Sequence, residues 1–275
     1  MQNKFFQKEL AFLLGLIFVL CIFPTPALAW RQLGEGLWLG EFDLSENLGV
    51  SDSKVVVLKF DPKTYALKLL SASEQNNESM TGKEWADKFG LVAVINASMY
   101  QVNHLTSTGY MRNFTHANNP KINSKFGAFL AFNPVDDSIP RVQIIDRHYQ
   151  DWKKLIHKYH TIIQNYRMIS IKQENLWPKS DKQYSVACVA IDTDRNILFI
   201  HSGGLFSVHY FNKILLKLPI NIYNAMFVEG GSESFLYVKA AKFVGRWLGS
   251  DNNWTRYDFT RDLLPVPNVI GIVKR

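Results

Sequence analysis

Cysteine is nearly absent. The chain of 275 residues has two, and one of them, Cys21, falls in an apolar N-terminal run expected to be removed. Cys188 alone cannot close an internal disulfide, so a disulfide framework is excluded. It sits in the apolar run Ser185 to Ile191 and is expected to be a buried thiol without chemistry. There is no Walker loop, no dinucleotide fingerprint and no H-E-x-x-H. Gly230-Gly-Ser-Glu-Ser234 misses the G-x-S-x-G nucleophile elbow at its last residue, which argues against a serine hydrolase. The basic excess of +7 is scattered and forms no Lys/Arg block, so no nucleic-acid partner is expected. Internal repeats, low-complexity runs and an obvious linker are also missing.

What is present first is a targeting pattern. Lys4 and Lys8 precede the apolar run Leu10 to Phe23, and Pro24-Thr-Pro-Ala-Leu-Ala29 offers an A-x-A cleavage site before Trp30. The run is too short for a membrane span, so contact with the membrane is expected only in transit. Residues 1–29 therefore read as a cleaved signal peptide, with an uncleaved anchor as the lesser alternative, and the protein as exported, periplasmic or extracellular. Cleavage would take two lysines and one glutamate with it and lower the net charge to +6. A hydrophobic content of 47% in the chain is that of a globular protein.

Strand signals dominate residues 30–275. Gly36 to Leu44 alternates imperfectly, and Val55 to Phe60 and Tyr65 to Ala72 flank the turn Asp61-Pro-Lys-Thr64. Thr81-Gly-Lys-Glu84 is a capping box opening a short helix that Gly90 ends. Leu91 to Ile95 is a buried strand, residues 101–125 read as a long polar loop, and Phe126 to Phe132 with Arg141 to Ile145 form a strand pair. Asp151 caps a helix whose apolar face is Trp152, Leu155, Ile156, Tyr159, Ile162 and Ile163. His157 and His160 lie off that face, at a spacing poorly suited to zinc. Ser185 to Asp192 and Ile197 to Ser202 make a hairpin, and Ser207 caps a helix closed by Pro219. Ala225 to Val228, Ser234 to Ala240, Lys242 to Leu248 and the last segment after Pro265 complete the strands. Roughly eleven strands and three helices out of alternation indicate α+β, with mixed or antiparallel sheets flanked by a few helices in a single domain.

The stretch around which these elements are organised is Asn221 to Ser234. A buried strand there runs into Glu229, Gly230, Gly231, Ser232, Glu233 and Ser234. Glycine lets a ligand come close to the backbone, so a carboxylate beside it reads equally as a binding position or as a solvated hairpin acid. A second such place is Ser202-Gly-Gly-Leu-Phe-Ser-Val-His209, where a glycine loop feeds a helix N-terminus suited to a phosphate, or simply to a capped helix.

Taken in order, several segments resemble the phosphodiester glycosidase family, in particular a bacterial branch of it. They are Val94-Ile-Asn-Ala-Ser-Met-Tyr100, Thr106-Ser-Thr-Gly-Tyr110, His116-Ala-Asn-Asn-Pro120, Gln164-Asn-Tyr-Arg-Met-Ile169, Phe206-Ser-Val-His-Tyr-Phe-Asn212, Ala225-Met-Phe-Val-Glu-Gly-Gly231 and Val266-Pro-Asn-Val-Ile-Gly271. The resemblance runs from about Gly36 onward. Glu229-Gly230-Gly231 stands where the family more often has Asp-Gly-Gly, and Ala97-Ser98 where two glycines are common.

The resemblance implies hydrolysis of the sugar C1–O bond in a sugar-1-phosphodiester of an envelope glycan or exopolysaccharide. A phosphate monoester leaves readily, so such a site must chiefly hold phosphate and stabilise an oxocarbenium-like sugar. On that reading Glu229 faces the anomeric carbon or activates water, with His209 assisting proton transfer or binding phosphate and Asn96 orienting a hydroxyl or the carboxylate. Arg167, Ser207, Gly230, Gly231, Ser232 and Tyr100 would bind substrate. A structural ion pair for Arg167 and a strand-end cap for Asn96 remain open. The alternative is a non-catalytic envelope protein that binds a phosphorylated glycan with the same pocket. No cofactor or metal is called for, although hard oxygen ligands at the loop mouths would admit a divalent cation.

Overall fold

A computed structural model describes residues 30–44, 54–250 and 263–275. The leader segment lies outside the described residues. Among them are seventeen strands and three α-helices, the longest of eight residues. The protein is therefore richer in β than the α+β expectation, and every strand pairing among the described residues is antiparallel.

Three sheets share the work. The first has the order β1 (Trp30–Gly34), β2 (Leu37–Asp43), β3 (Lys54–Phe60), β13 (Ile197–Ser202), β12 (Val186–Asp192), β14 (Ile222–Gly230), β11 (Arg167–Ile169). The second runs β7 (His116–Asn119), β6 (Met111–Asn113), β10 (Tyr159–Asn165), β8 (Ala128–Pro134), β9 (Val142–Asp146). The third is β16 (Phe243–Leu248), β15 (Phe235–Ala240), β5 (Ala93–Asn96), β17 (Asn268–Lys274), β4 (Tyr65–Ser71).

The inner faces of all three sheets meet in one apolar core, which joins Leu58, Phe199 and Val228 to Leu130, Ile163, Ile95 and Ile270. Each outer face is covered as well. Helix α1 (Gly82–Phe89) backs the third sheet through Trp85. The single turn α2 (Trp152–Leu155) backs the second through Trp152 and Leu155. Helix α3 (Val208–Leu215) backs the first through Phe211 and Leu215. Strands buried on both faces need apolar residues at every position, which is why β12 and β13 read as continuous runs without alternation.

The helix signals at α1 and α3 are present as expected. Thr81 and Glu84 complete the capping box, Gly90 closes α1 at φ 62°, and Ser207 caps α3 by accepting from the Tyr210 amide. The helix expected after Asp151 does not run on. Asp151 caps it, but after one turn and a 3-10 segment the chain becomes β10, the central strand of the second sheet. Thr161-Ile-Ile163 is β-branched and buried on both faces, so its apolar spacing fits either period, and pairing with β6 and β8 decides it. His160 stacks on Phe114 at 5.2 Å. The expected loop 101–125 contains the hairpin β6–β7, and β1 pairs with β2 ahead of the single strand expected there. Cys188 is buried, and burial alone holds its thiol far above the usual range.

Candidate active site

The site forms where the ends of the three sheets meet. On β14, Phe227 faces Cys188 and Glu229 faces Ala187, so Val228 is an extra residue, a β-bulge. The bulge changes which way the strand end points. Phe227 packs on the outer side of the sheet, whereas Ala187 belongs to the inner core, and Glu229 across from it shares that inner face. His201 on β13 also pairs with Ala187. Glu229, the small Ala187 and His201 thus form one row across three strands. The bulge carbonyl is tied down from the second sheet, because the buried Asn165 donates to Val228 O at 3.3 Å.

After Glu229 the chain makes a 3-10 turn, Gly231–Glu233. Two features require glycine there. A Cβ at Gly230 would stand 2.7 Å from the Tyr184 ring, and Gly231 has φ 73°. Asn96, at the end of β5, braces the turn from the third sheet: its amide donates to Glu233 O (2.9 Å) and its oxygen accepts from Phe235 N (2.9 Å). It caps a strand end and touches the acid-bearing turn through backbone only. Asn96→Ala would leave two backbone groups unpaired, and a stability loss of about 2–4 kcal/mol is expected, read as a lower urea midpoint at unchanged slope. At the end of the turn Ser234 Oγ donates to Gly231 O (2.8 Å), and His201 Nε2, from the first sheet, lies 3.4 Å from that hydroxyl.

Two carboxyl groups occupy this turn in unlike surroundings. Glu229 is only 6% exposed. Loss of solvent pushes its carboxyl up to about 8; a hydrogen bond from the Gly230 amide opposes this, and the negative charge of Glu233 adds to it. Glu233 is half-buried and accepts the phenol of Tyr100, whose own ionisation is driven upward by burial and then by that bond and both acids. Burial and the charge of Glu229 likewise raise Tyr184. His201 is fully buried, and desolvation pushes it down to about 4, so it is a neutral imidazole behind the turn, with Nδ1 unpaired. Its only sequence signal is a polar residue inside a strand buried on both faces.

The other expected site residues go elsewhere. Arg167 forms an ion pair with Asp146 on β9 at 2.8 Å, and its stem lies over Gly127, where a Cβ would sit 2.8 Å from Nε. Ser207 lines a separate hollow of about 410 Å³ with Phe206 and Tyr210. His209 donates from Nδ1 to Trp177 O at 2.6 Å, and Trp177 in turn packs on Tyr166 and Phe227. Of the expected site, the structure assembles Glu229, Gly230, Gly231, Ser232, Tyr100 and, as a brace, Asn96. Glu233, carried by the same stretch, joins them, and the structure adds Tyr184 and His201. Among the described residues no three His, Cys, Asp or Glu side chains are grouped to hold a metal ion.

Fold and site together define an antiparallel, three-sheet protein with a paired-carboxylate centre at the sheets' common end. The Phosphodiester glycosidase family profile matches residues 89–273, and the chain belongs to that family. No curated protein matches the sequence. Among solved structures, the chain resembles the catalytic domain of zebrafish N-acetylglucosamine-1-phosphodiester alpha-N-acetylglucosaminidase, auto-inhibited by its pro-peptide. The identity is 13% and the TM-score 0.60, over 89% of this chain and 86% of that one. It also resembles a hypothetical protein from Synechocystis, at 13% identity and TM-score 0.56, over 87% of this chain and 62% of that one. At these identities the likeness is one of fold. No helix among the described residues is long and apolar enough to cross a membrane.

Proposed function

We propose that the protein is an exported hydrolase that cleaves the C1–O bond of a sugar-1-phosphodiester in an envelope glycan or exopolysaccharide. The observation that carries this reading is the unequal pair Glu229 and Glu233. Water adds to the anomeric carbon, the C1–O bond breaks, and the phosphate leaves as a monoester with its oxygen, so the balance is one water consumed per bond. A carboxyl held up to about 8 keeps its proton at neutral pH. Beside a phosphodiester anion, a neutral acid avoids like-charge repulsion and can hydrogen-bond or protonate the departing oxygen. Glu233, held by Tyr100, supplies the negative charge that stabilises an oxocarbenium-like sugar or orients the water. Asn96 and the His201–Ser234 contact act as positioning groups for the turn.

Turnover of sugar-1-phosphodiesters in ¹⁸O-labelled water tests the reaction. The label is expected in the free sugar. Label in the phosphate monoester would mean P–O cleavage and end the glycosidase reading. Tyr100→Phe is expected to lower turnover roughly tenfold while leaving the melting temperature within a few degrees, since one hydrogen bond to the acid is lost at a half-exposed position.

A further inference from the structure

At the opposite end of the same core, cations from all three sheets surround a cavity of about 620 Å³. Lys63 comes from the turn between β3 and β4, Arg195 from the turn between β12 and β13, and Arg141 from the residue before β9. Arg275, following β17, lies close enough for the charge of Arg141 to help depress it, after the larger effect of burial. Among the described residues none of these four forms an ion pair, although many acids are available on the surface. One acid, Asp137, lines the cavity. The concentration of unpaired positive charge at one concave place favours an anion.

The cavity is also too large for a simple ion, falling in the range of small-ligand sites. Tyr223 offers a flat ring whose orientation is held by the Arg195 guanidinium, 4.7 Å from its centroid. Gln143, whose Nε2 donates to Tyr159 Oη, and Asn224, whose Nδ2 donates to Ile144 O, leave their amide oxygens to the lining, and that of Asn224 is buried without a partner. A flat apolar ring, neutral amides and guanidinium forks are the partners of a sugar's C–H face, its hydroxyls and a phosphate or carboxylate.

We infer that this cavity is a second, non-catalytic site for an anionic carbohydrate, formed by Lys63, Arg141, Arg195 and Tyr223. Asn224 and Glu229 lie on the same strand, five residues and so about 16 Å apart. A charged glycan held at this end would remain tethered while another part of it reaches the carboxylates. The tethering rests on the proposed hydrolase function; the binding does not.

Calorimetric titration of the full chain with glucose 1-phosphate, glucose and inorganic phosphate is the test. Glucose 1-phosphate is expected to bind, with affinity at least tenfold lower in the double variant Arg141→Glu/Arg195→Glu and within twofold of wild type in Glu229→Gln. Lys63→Glu, on a separate turn, is expected to weaken it at least threefold and carries the test if the double variant does not fold. Affinity indifferent to these reversals, or no binding, overturns the site. Equal affinity for inorganic phosphate or for glucose overturns the carbohydrate-anion assignment. The hydrolase reading fails separately: binding that persists in a protein without turnover removes the enzyme and keeps the site. Turnover without binding does the reverse.

Discussion

Glu229→Gln is expected to lower turnover by about 10²–10⁴-fold while leaving the protein folded, because the amide keeps the volume and the hydrogen bond from Gly230 but has no acidic proton to transfer. The same substitution has a stability signature with a definite sign. In the folded protein the carboxyl titrates at about 8, from an ordinary 4.5, so between those values the folded state holds a proton that the unfolded state has released. Stability from this group is therefore full at low pH and is lost as pH rises to about 8, at roughly 1.4 kcal/mol per unit. His201 has the opposite slope. It is held neutral down to about 4, and stability is lost as pH falls from 6.5 towards 4. The two cancel between about 4.5 and 6.5, so wild type should lose about 2 kcal/mol between pH 6.5 and 8 from this pair. Glu229→Gln should lose nothing there and should show the rising His201 limb alone. Urea melts across pH 4 to 9 would show it. A variant with the wild-type decline above 6.5 would mean that Glu229 is ionised in the folded protein, and the acid role would fall with it. Wild-type turnover should decline as pH rises through about 8.

Arg167→Met is expected to cost about 3 kcal/mol of stability, since it strands the Asp146 carboxylate, whose side chain is only 3% exposed. Adding Asp146→Asn should restore a large part of that loss, because no unpaired charge then remains, and the double-mutant cycle gives the coupling directly. Substrate KM should change little at a temperature where both variants are folded. A large rise in KM at unchanged stability would place the guanidinium on substrate phosphate and contradict the ion pair as its main role.

Much of the fold was legible from local signals. The capping box at Thr81, the turn at Asp61 and the Val186–Ser202 hairpin each rest on residues near in sequence, and all are found where expected. Where tertiary pairing outweighs local period, the sequence misled. Tyr159 to Asn165 has apolar residues that suit a helix face, yet it is a central strand because both of its neighbours offer hydrogen-bonding edges and both of its faces are covered.

For the site, the sequence by itself determined the chemistry of one stretch: a carboxylate followed by two glycines at the end of a buried strand. The identity of the second acid's partner, Tyr100, and the buried His201 came only with the tertiary structure. Glu229 and His201 are 28 positions apart and share a face because antiparallel register sets them in one row and because a single extra residue, Val228, turns the strand end inward. Register and bulge depend on which strands pair, a long-range property that no local pattern encodes. Arg167 shows the converse: an arginine near a strand end suits phosphate equally well in any sequence, and only the approach of Asp146 across two sheets commits it to an ion pair.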